Sequence, residues 1–256
     1  MRVVVKVGTS TLTHSTGHLN IRHIENLCKV LSDLKNAGHE IILVSSGAIG
    51  MGVGKLSLKE RPTDMPTKQA AAAVGQCELM YTYDRLFSEY NHTVAQILLT
   101  AEDMTHSDRH DNFRNTLLRL LELSALPIIN ENDTVSTAEI TLGDNDSLGA
   151  LVAMSAKAEL LVLLTDIDGL YTADPRKDAD AQRIGLVEKV TDEILALAGG
   201  KGSALGTGGM TTKLLAAQKC GAEGIETVIA NGEDPSILYD ILEGKSVGTR
   251  ILGEKK

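Results

Sequence analysis

The chain is predicted to fold as an α/β protein whose mainly parallel sheet carries helices on both faces. Three observations lead there. Short β-branched runs alternate with amphipathic stretches from end to end, aromatic residues supply only 3% of the 256 positions, and no internal repeat or low-complexity tract interrupts the alternation. A core built from Leu, Ile, Val and Ala suits strands that are buried on both faces by covering helices.

Val3–Val7 reads as the first strand, followed by the polar, flexible stretch Gly8-Thr9-Ser10-Thr11. Ile21, Ile24, Leu27, Cys28, Leu31 and Leu34 recur at helical spacing, with Asn20 as N-cap and Gly38 past the last turn. Ile41–Val44 is the next strand, and it runs into a glycine-rich loop from Ser45 to Gly54. Pro66 precedes an Ala-rich helix from about Lys68 to Phe87. Val94–Leu99, Pro127–Ile129, Leu160–Leu164, Leu186–Val190 and Thr227–Ile229 read as further strands. Helices are expected near Asp111–Leu123, Leu148–Ser155, Asp192–Ala198, Met210–Cys220 and Ile237–Leu242. The stretch Gly199–Gly209, with six glycines, reads as a mobile loop feeding the helix at Met210. The alternation predicts one domain over residues 1–256.

Composition excludes several function classes. The formal net charge is −9 and no dense Lys/Arg stripe interrupts it, which argues against nucleic acid as a main partner. The N-terminal apolar run is too short for a signal peptide, and no segment approaches the ~20 apolar residues that cross a bilayer, so a cytoplasmic protein is expected. Cys28, Cys77 and Cys220 lie far apart without CxxC spacing and read as small buried hydrophobes. The seven histidines are scattered, and no metal site is expected from them.

Ligands of open parallel sheets sit beyond the carboxyl ends of strands. Four strand ends here deliver small, polar or acidic residues: Gly8-Thr9-Ser10, Ser46-Gly47, Asn130-Glu131-Asn132-Asp133 and Thr165-Asp166. Lys6, inside the first strand, either faces solvent or reaches past Gly8 to a phosphate, since an ammonium buried alone is costly. Ser46-Gly47-Ala48 is either a plain turn or an anion nest with one hydroxyl. Asp133 and Asp146 belong to two acidic-amide clusters; Asp133 suits an α-ammonium, and Asp146, opening a helix, suits pairing with lysines. Gly206-Thr207-Gly208-Gly209-Met210-Thr211-Thr212-Lys213 resembles a phosphate cradle at a helix N-terminus, the alternative being a Thr-capped hinge. No GxxxxGK[ST] occurs in the loop after the second strand.

In this order and spacing, six segments make the chain resemble the amino acid kinase family over nearly its whole length, and within it the members that phosphorylate glutamate. They are Val5-Lys6-Val7-Gly8-Thr9-Ser10, Val44–Ile49, Ile129–Asp133, Gly143-Asp144-Asn145-Asp146, Leu164-Thr165-Asp166 through Pro175-Arg176, and Gly206–Lys213. The resemblance implies a three-layer αβα sandwich, with the amino acid bound by the N-terminal part and ATP by the C-terminal part. It implies transfer of the γ-phosphoryl group of ATP to the side-chain carboxylate of L-glutamate, giving γ-glutamyl phosphate for proline biosynthesis. By the same analogy Lys6, Lys213 and Asp146 are catalytic, and Ser46, Gly47, Asp133 and Asn145 hold glutamate. Lys6, Thr165, Asp166, Thr207, Gly208, Gly209, Met210, Thr211, Thr212 and Lys213 line the nucleotide site. Mg²⁺ is expected mainly on the nucleotide phosphates, with no protein metal site. Feedback by proline, assembly into a homo-oligomer and absence of the C-terminal PUA domain carried by many such members belong to the same expectation.

Rival acceptors are acetylglutamate, aspartate, carbamate and uridylate. Gly-Thr-Ser after Lys6 argues against the first, where a Gly-Gly pair is usual. A non-catalytic sensor is disfavoured by two lysines together with Asp146, and a dinucleotide oxidoreductase by the lack of GxGxxG after the first strand.

Overall fold

The computed structural model describes residues 1–14, 18–136, 145–198 and 209–254. Among these, eight strands form one sheet: β1 (Arg2–Val7), β2 (Glu40–Ser45), β3 (Val94–Leu99), β4 (Leu126–Glu131), β5 (Leu160–Thr165), β6 (Leu186–Val187), β7 (Glu226–Asn231) and β8 (Thr249–Ile251). Their order is β3-β4-β2-β1-β5-β7-β8-β6, and every pairing is parallel except β7 with β8. Helices α1 (Thr9–Leu12), α2 (Ile21–Asn36), α3 (Ala48–Lys55), α4 (Met65–Ser88), α5 (Ala101–Thr105), α6 (Ser107–Glu122), α7 (Asp146–Ala156), α8 (Asp192–Ala198), α9 (Met210–Ala222) and α10 (Ile237–Leu242) complete the chain. The architecture is the expected αβα sandwich.

Strand side chains alternate between faces, and the two cores divide accordingly. Val3, Val5 and Val7 of β1 pack with the buried residues of α2, α4 and α10. Val4 packs on the other face with those of α6, α7 and α9. Lys6 shares the parity of Val4 and so emerges under α7 and α9. Helix α2 follows its predicted pattern: the Asn20 side chain accepts from the His23 amide, and Gly38 sits at φ +93°, in the left-handed region.

Several local expectations need correction. The glycine-rich segment after β2 is mostly helix α3, not loop. Gly47, at φ +101°, turns the chain into it, and Gly52 lets it lie against α4. A Cβ on Gly52 would fall 1.8 Å from the Ala71 carbonyl oxygen, and one on Gly75 would fall 1.7 Å from that of Ala48. The glycines therefore serve backbone-to-backbone contact between two helices. Thr9–Leu12 forms a helical turn rather than a flexible stretch. Strand β6 ends at Val187, and β8 escaped notice because three residues carry too little pattern. Cys28 and Cys220 are buried as expected, but Cys77 is exposed on α4. The glycine-rich stretch 199–208 lies outside the described residues.

Replacing Gly75 by Ala forces α3 and α4 apart at a backbone contact that cannot yield by rotamer change. Overpacking of this kind costs about 1–3 kcal/mol, which for a chain of this size lowers Tm by about 2–12 °C. Thermal denaturation of Gly75→Ala checks this, and an unchanged Tm would refute the tight crossing.

Candidate active site

The site is assembled where β1 lies between β2 and β5. Lys6 stands opposite Val44 on one side and Leu163 on the other, near the carboxyl end of all three strands. Asp146 opens α7, and Lys213 lies in the first turn of α9. Lys6 Nζ is 2.7 Å from Asp146 Oδ1, and Lys213 Nζ is 3.0 Å from Asp146 Oδ2. Asp146 is fully buried, and both lysines are 4% exposed. Two ammonium groups thus grip the two oxygens of one carboxylate, over a sequence separation of more than two hundred residues. The Thr212 hydroxyl lies 2.9 Å from Asp146 Oδ2 and 2.7 Å from the Gly209 carbonyl, so its single proton serves one or the other. Asp146 at the start of α7 also meets the positive end of that helix.

Beside this trio runs a chain of buried amides. Asn145 Nδ2 lies within 2.9–3.1 Å of the Asn130 Oδ1, the Ser46 hydroxyl and the Ser45 carbonyl. Asn130 Nδ2 in turn donates to Gln76 Oε1 at 2.9 Å. Neither Asn130 nor Gln76 received a role from the sequence, because an isolated amide gives no sign of its partners until the fold brings helix α4 over the end of β4. Asn145 Oδ1 is buried and has no partner among the described residues.

Asp133, past the end of β4, lines a cleft of about 400 Å³ together with Ala48, Ala72, Gln76, Glu131 and Thr134. Burial pushes its carboxyl up to about 6, and the Glu131 carboxylate adds to the shift. Asp133 Oδ1 is also buried and has no partner among the described residues. Glu131 itself accepts a hydrogen bond from the Ser136 hydroxyl.

Thr165 and Asp166 sit at the end of β5 and line a second, larger cavity of about 1600 Å³, with Thr11 and Asn231 on its walls. Asp166 is exposed and pairs with Arg176 at 3.1 Å. The described walls of this cavity do not include Lys6, Asp146 or Lys213, although β5 runs beside β1 and Lys6 pairs with Leu163, two residues before Thr165. Gly209 precedes α9 in extended backbone, and Met210 and Thr211 open the helix. Thr207 and Gly208 lie outside the described residues, as do Gly143 and Asp144. Among the described residues no cluster of His, Cys, Asp or Glu is placed to hold a metal ion, and no helix is long and apolar enough to cross a membrane.

The model of the amino acid kinase family matches residues 1–231. A glutamate 5-kinase of Clostridium tetani is 55% identical over 96% of this chain and 92% of its own length. One from Clostridium perfringens is 50% identical over 99% of this chain and 96% of its own. Among solved structures, a carbamate kinase from Giardia lamblia bound to AMP-PNP superposes with a TM-score of 0.69 at 17% identity, covering 99% of this chain and 98% of that one. That likeness is one of fold.

The raised carboxyl of Asp133 makes a stability prediction with a definite sign. Between about pH 4 and 6 the unfolded chain has released this proton while the folded protein still holds it. Stability therefore falls as pH rises through that window, and the penalty is complete above about 6. Asp133→Asn should be more stable than the parent at pH 8, by on the order of 1–3 kcal/mol, with the difference vanishing near pH 3.5. Urea titrations at the two pH values measure it; equal stability at pH 8 would contradict the assignment.

Proposed function

The chain belongs to the amino acid kinase family, and from that membership we propose that it transfers the γ-phosphoryl group of ATP to the side-chain carboxylate of L-glutamate. The product is γ-glutamyl phosphate, and the reaction is the first step of proline biosynthesis. The observation that carries phosphoryl transfer is the convergence of Lys6 and Lys213 on Asp146 at the carboxyl end of the sheet. The acceptor is the one for which relatives sharing half of the sequence or more are named.

The chemistry follows from charge. A carboxylate oxygen is already a nucleophile, so its attack on the γ-phosphorus needs no general base. As that bond forms, the bond to the β–γ bridging oxygen breaks and ADP leaves with the electron pair. The obstacles are repulsion between two anions and the charge spread over the transferring group. Lys6 and Lys213 address both, and Asp146 holds the two ammonium groups at a fixed separation. In a water-poor site such cations act before the reaction without reorganising during it. Ionised Asp133 receives the α-ammonium, while Ser46, the Gly47 turn and Asn145 complete the amino-acid site. The N-terminal part thus binds glutamate and the C-terminal part binds ATP, through Thr165, Asp166 and the segment 207–213. Mg²⁺ arrives as part of the nucleotide substrate, held by its phosphates. Feedback inhibition by proline, a homo-oligomeric assembly and a cytoplasmic location belong to this proposal.

Incubation with ATP, Mg²⁺ and glutamate in the presence of hydroxylamine traps the acyl phosphate as its hydroxamate. No glutamate-dependent hydroxamate would sink the proposal. Lys6→Met and Lys213→Met, matched in volume to spare the core, should each lower kcat by on the order of 10²–10³-fold with far-ultraviolet circular dichroism unchanged. Turnover at the parental rate in either would remove that lysine from the mechanism.

The amino-acid site should also respond to pH. Below about 6 the empty Asp133 holds a proton that the incoming ammonium must displace. KM for glutamate should therefore rise by about tenfold per pH unit below 6, while the substrate's own carboxylates remain ionised down to about pH 4–5. Asp133→Asn should show a high KM with no such dependence.

A further inference from the structure

Gln76 lies on α4, one residue after the glycine whose bare backbone touches Ala48. Its side chain is buried, and Oε1 accepts from Asn130 Nδ2. The direction of that bond is fixed independently. The backbone N–H of Glu131 donates to Asn130 Oδ1 at 2.9 Å, and a backbone N–H cannot reverse its role. Asn130 must therefore turn its oxygen towards Glu131 and its nitrogen towards Gln76. Asn145 Nδ2 donates to the same Asn130 oxygen, so the nitrogen of Asn145 is drawn inward. Its Oδ1 remains a buried acceptor with no partner among the described residues. The Ser46 hydroxyl, 3.0 Å from Asn145 Nδ2, cannot donate to that nitrogen and so keeps its own proton for another acceptor.

We infer that Gln76 is a positioning residue for the amino-acid site: by accepting from the Asn130 nitrogen it holds the amide chain in the direction that the Glu131 N–H imposes, so that Asn145 offers an acceptor and Ser46 a donor. That pair of polarities matches a zwitterion, with the acceptor for an ammonium and the donor for a carboxylate. The inference takes its ligand from the glutamate reading above. Its geometry does not depend on that reading.

Loss of the acceptor leaves the Asn130 amide nitrogen buried and unsatisfied, so that Asn130 is held at one end only and its grip on Asn145 loosens. Gln76→Leu keeps the volume and removes the acceptor; Gln76→Glu keeps an acceptor. At pH 8, where Asp133 is ionised, Gln76→Leu should raise KM for glutamate about tenfold or more. KM for ATP and kcat should stay within about twofold. Inhibition by glutarate, which lacks the α-amino group, should weaken less, so preference for the amino acid narrows. Gln76→Glu should recover most of the glutamate KM. Equal losses for glutamate and ATP, an unchanged glutamate KM, or Gln76→Glu behaving as Gln76→Leu would each overturn the inference.

A second measurement needs no substrate. Hydrogen exchange at the Asn145 side-chain amide, followed by NMR, should be slow in the parent and faster by about tenfold or more in Gln76→Leu. Unchanged protection would overturn the inference. If the parent protein failed to phosphorylate glutamate, the glutamate reading would fall, while lost protection in the variant would still support the role of Gln76.

Discussion

A carboxylate with no solvent exposure, held between two ammonium groups, is the constraint on which the rest of this molecule depends. Taking such ions out of water costs several kcal/mol each even after relaxation, and their mutual attraction returns it only when the geometry is good. Asp146 meets that condition by giving one oxygen to each lysine. The arrangement also ties the central strand β1 to the first turns of α7 and α9. Apolar residues of similar size would give comparable or greater stability. The presence of three charges at this point is therefore better explained by chemistry than by folding.

The two halves of the site use different physics. The Lys6–Asp146–Lys213 group, proposed for phosphoryl transfer, works with full charges at short range. The group proposed for the amino acid works with dipoles whose directions are set by one another, ending at the Asp133 carboxylate, which burial and Glu131 keep partly reluctant to ionise. The penalty at Asp133 and the open acceptor of Asn145 are both relieved by the same kind of guest, an ammonium group. Unsatisfied groups of this kind, kept in a folded protein, fit the binding site proposed for them.

Much of this was legible before the fold. The alternation of short apolar strands and amphipathic helices dictated the layers, and the strand ends at Ser45, Glu131 and Thr165 fall where the pattern placed them. Lys6 was ambiguous in sequence because strand parity cannot say which face a lone lysine takes; the two packed cores decide it. The glycines of α3 misled for a physical reason. Glycine signals freedom in an isolated segment, whereas at Gly52 and Gly75 it signals contact between backbones, a property of two distant segments together. Gln76 stayed silent for the same reason, and Asn130 showed only as one of the polar residues after a strand, since an amide's function lies in its partners.

The parity of β1 carries a further consequence. Because Val3, Val5 and Val7 face one core and Val4 and Lys6 the other, a one-residue slip of this strand would thrust the ammonium among the leucines of α2 and α4 and leave Asp146 with Lys213 as its one remaining lysine. The residue proposed for catalysis thus also guards against misfolding, since a one-residue shift of the central strand carries an unsolvated charge that the native alignment neutralises.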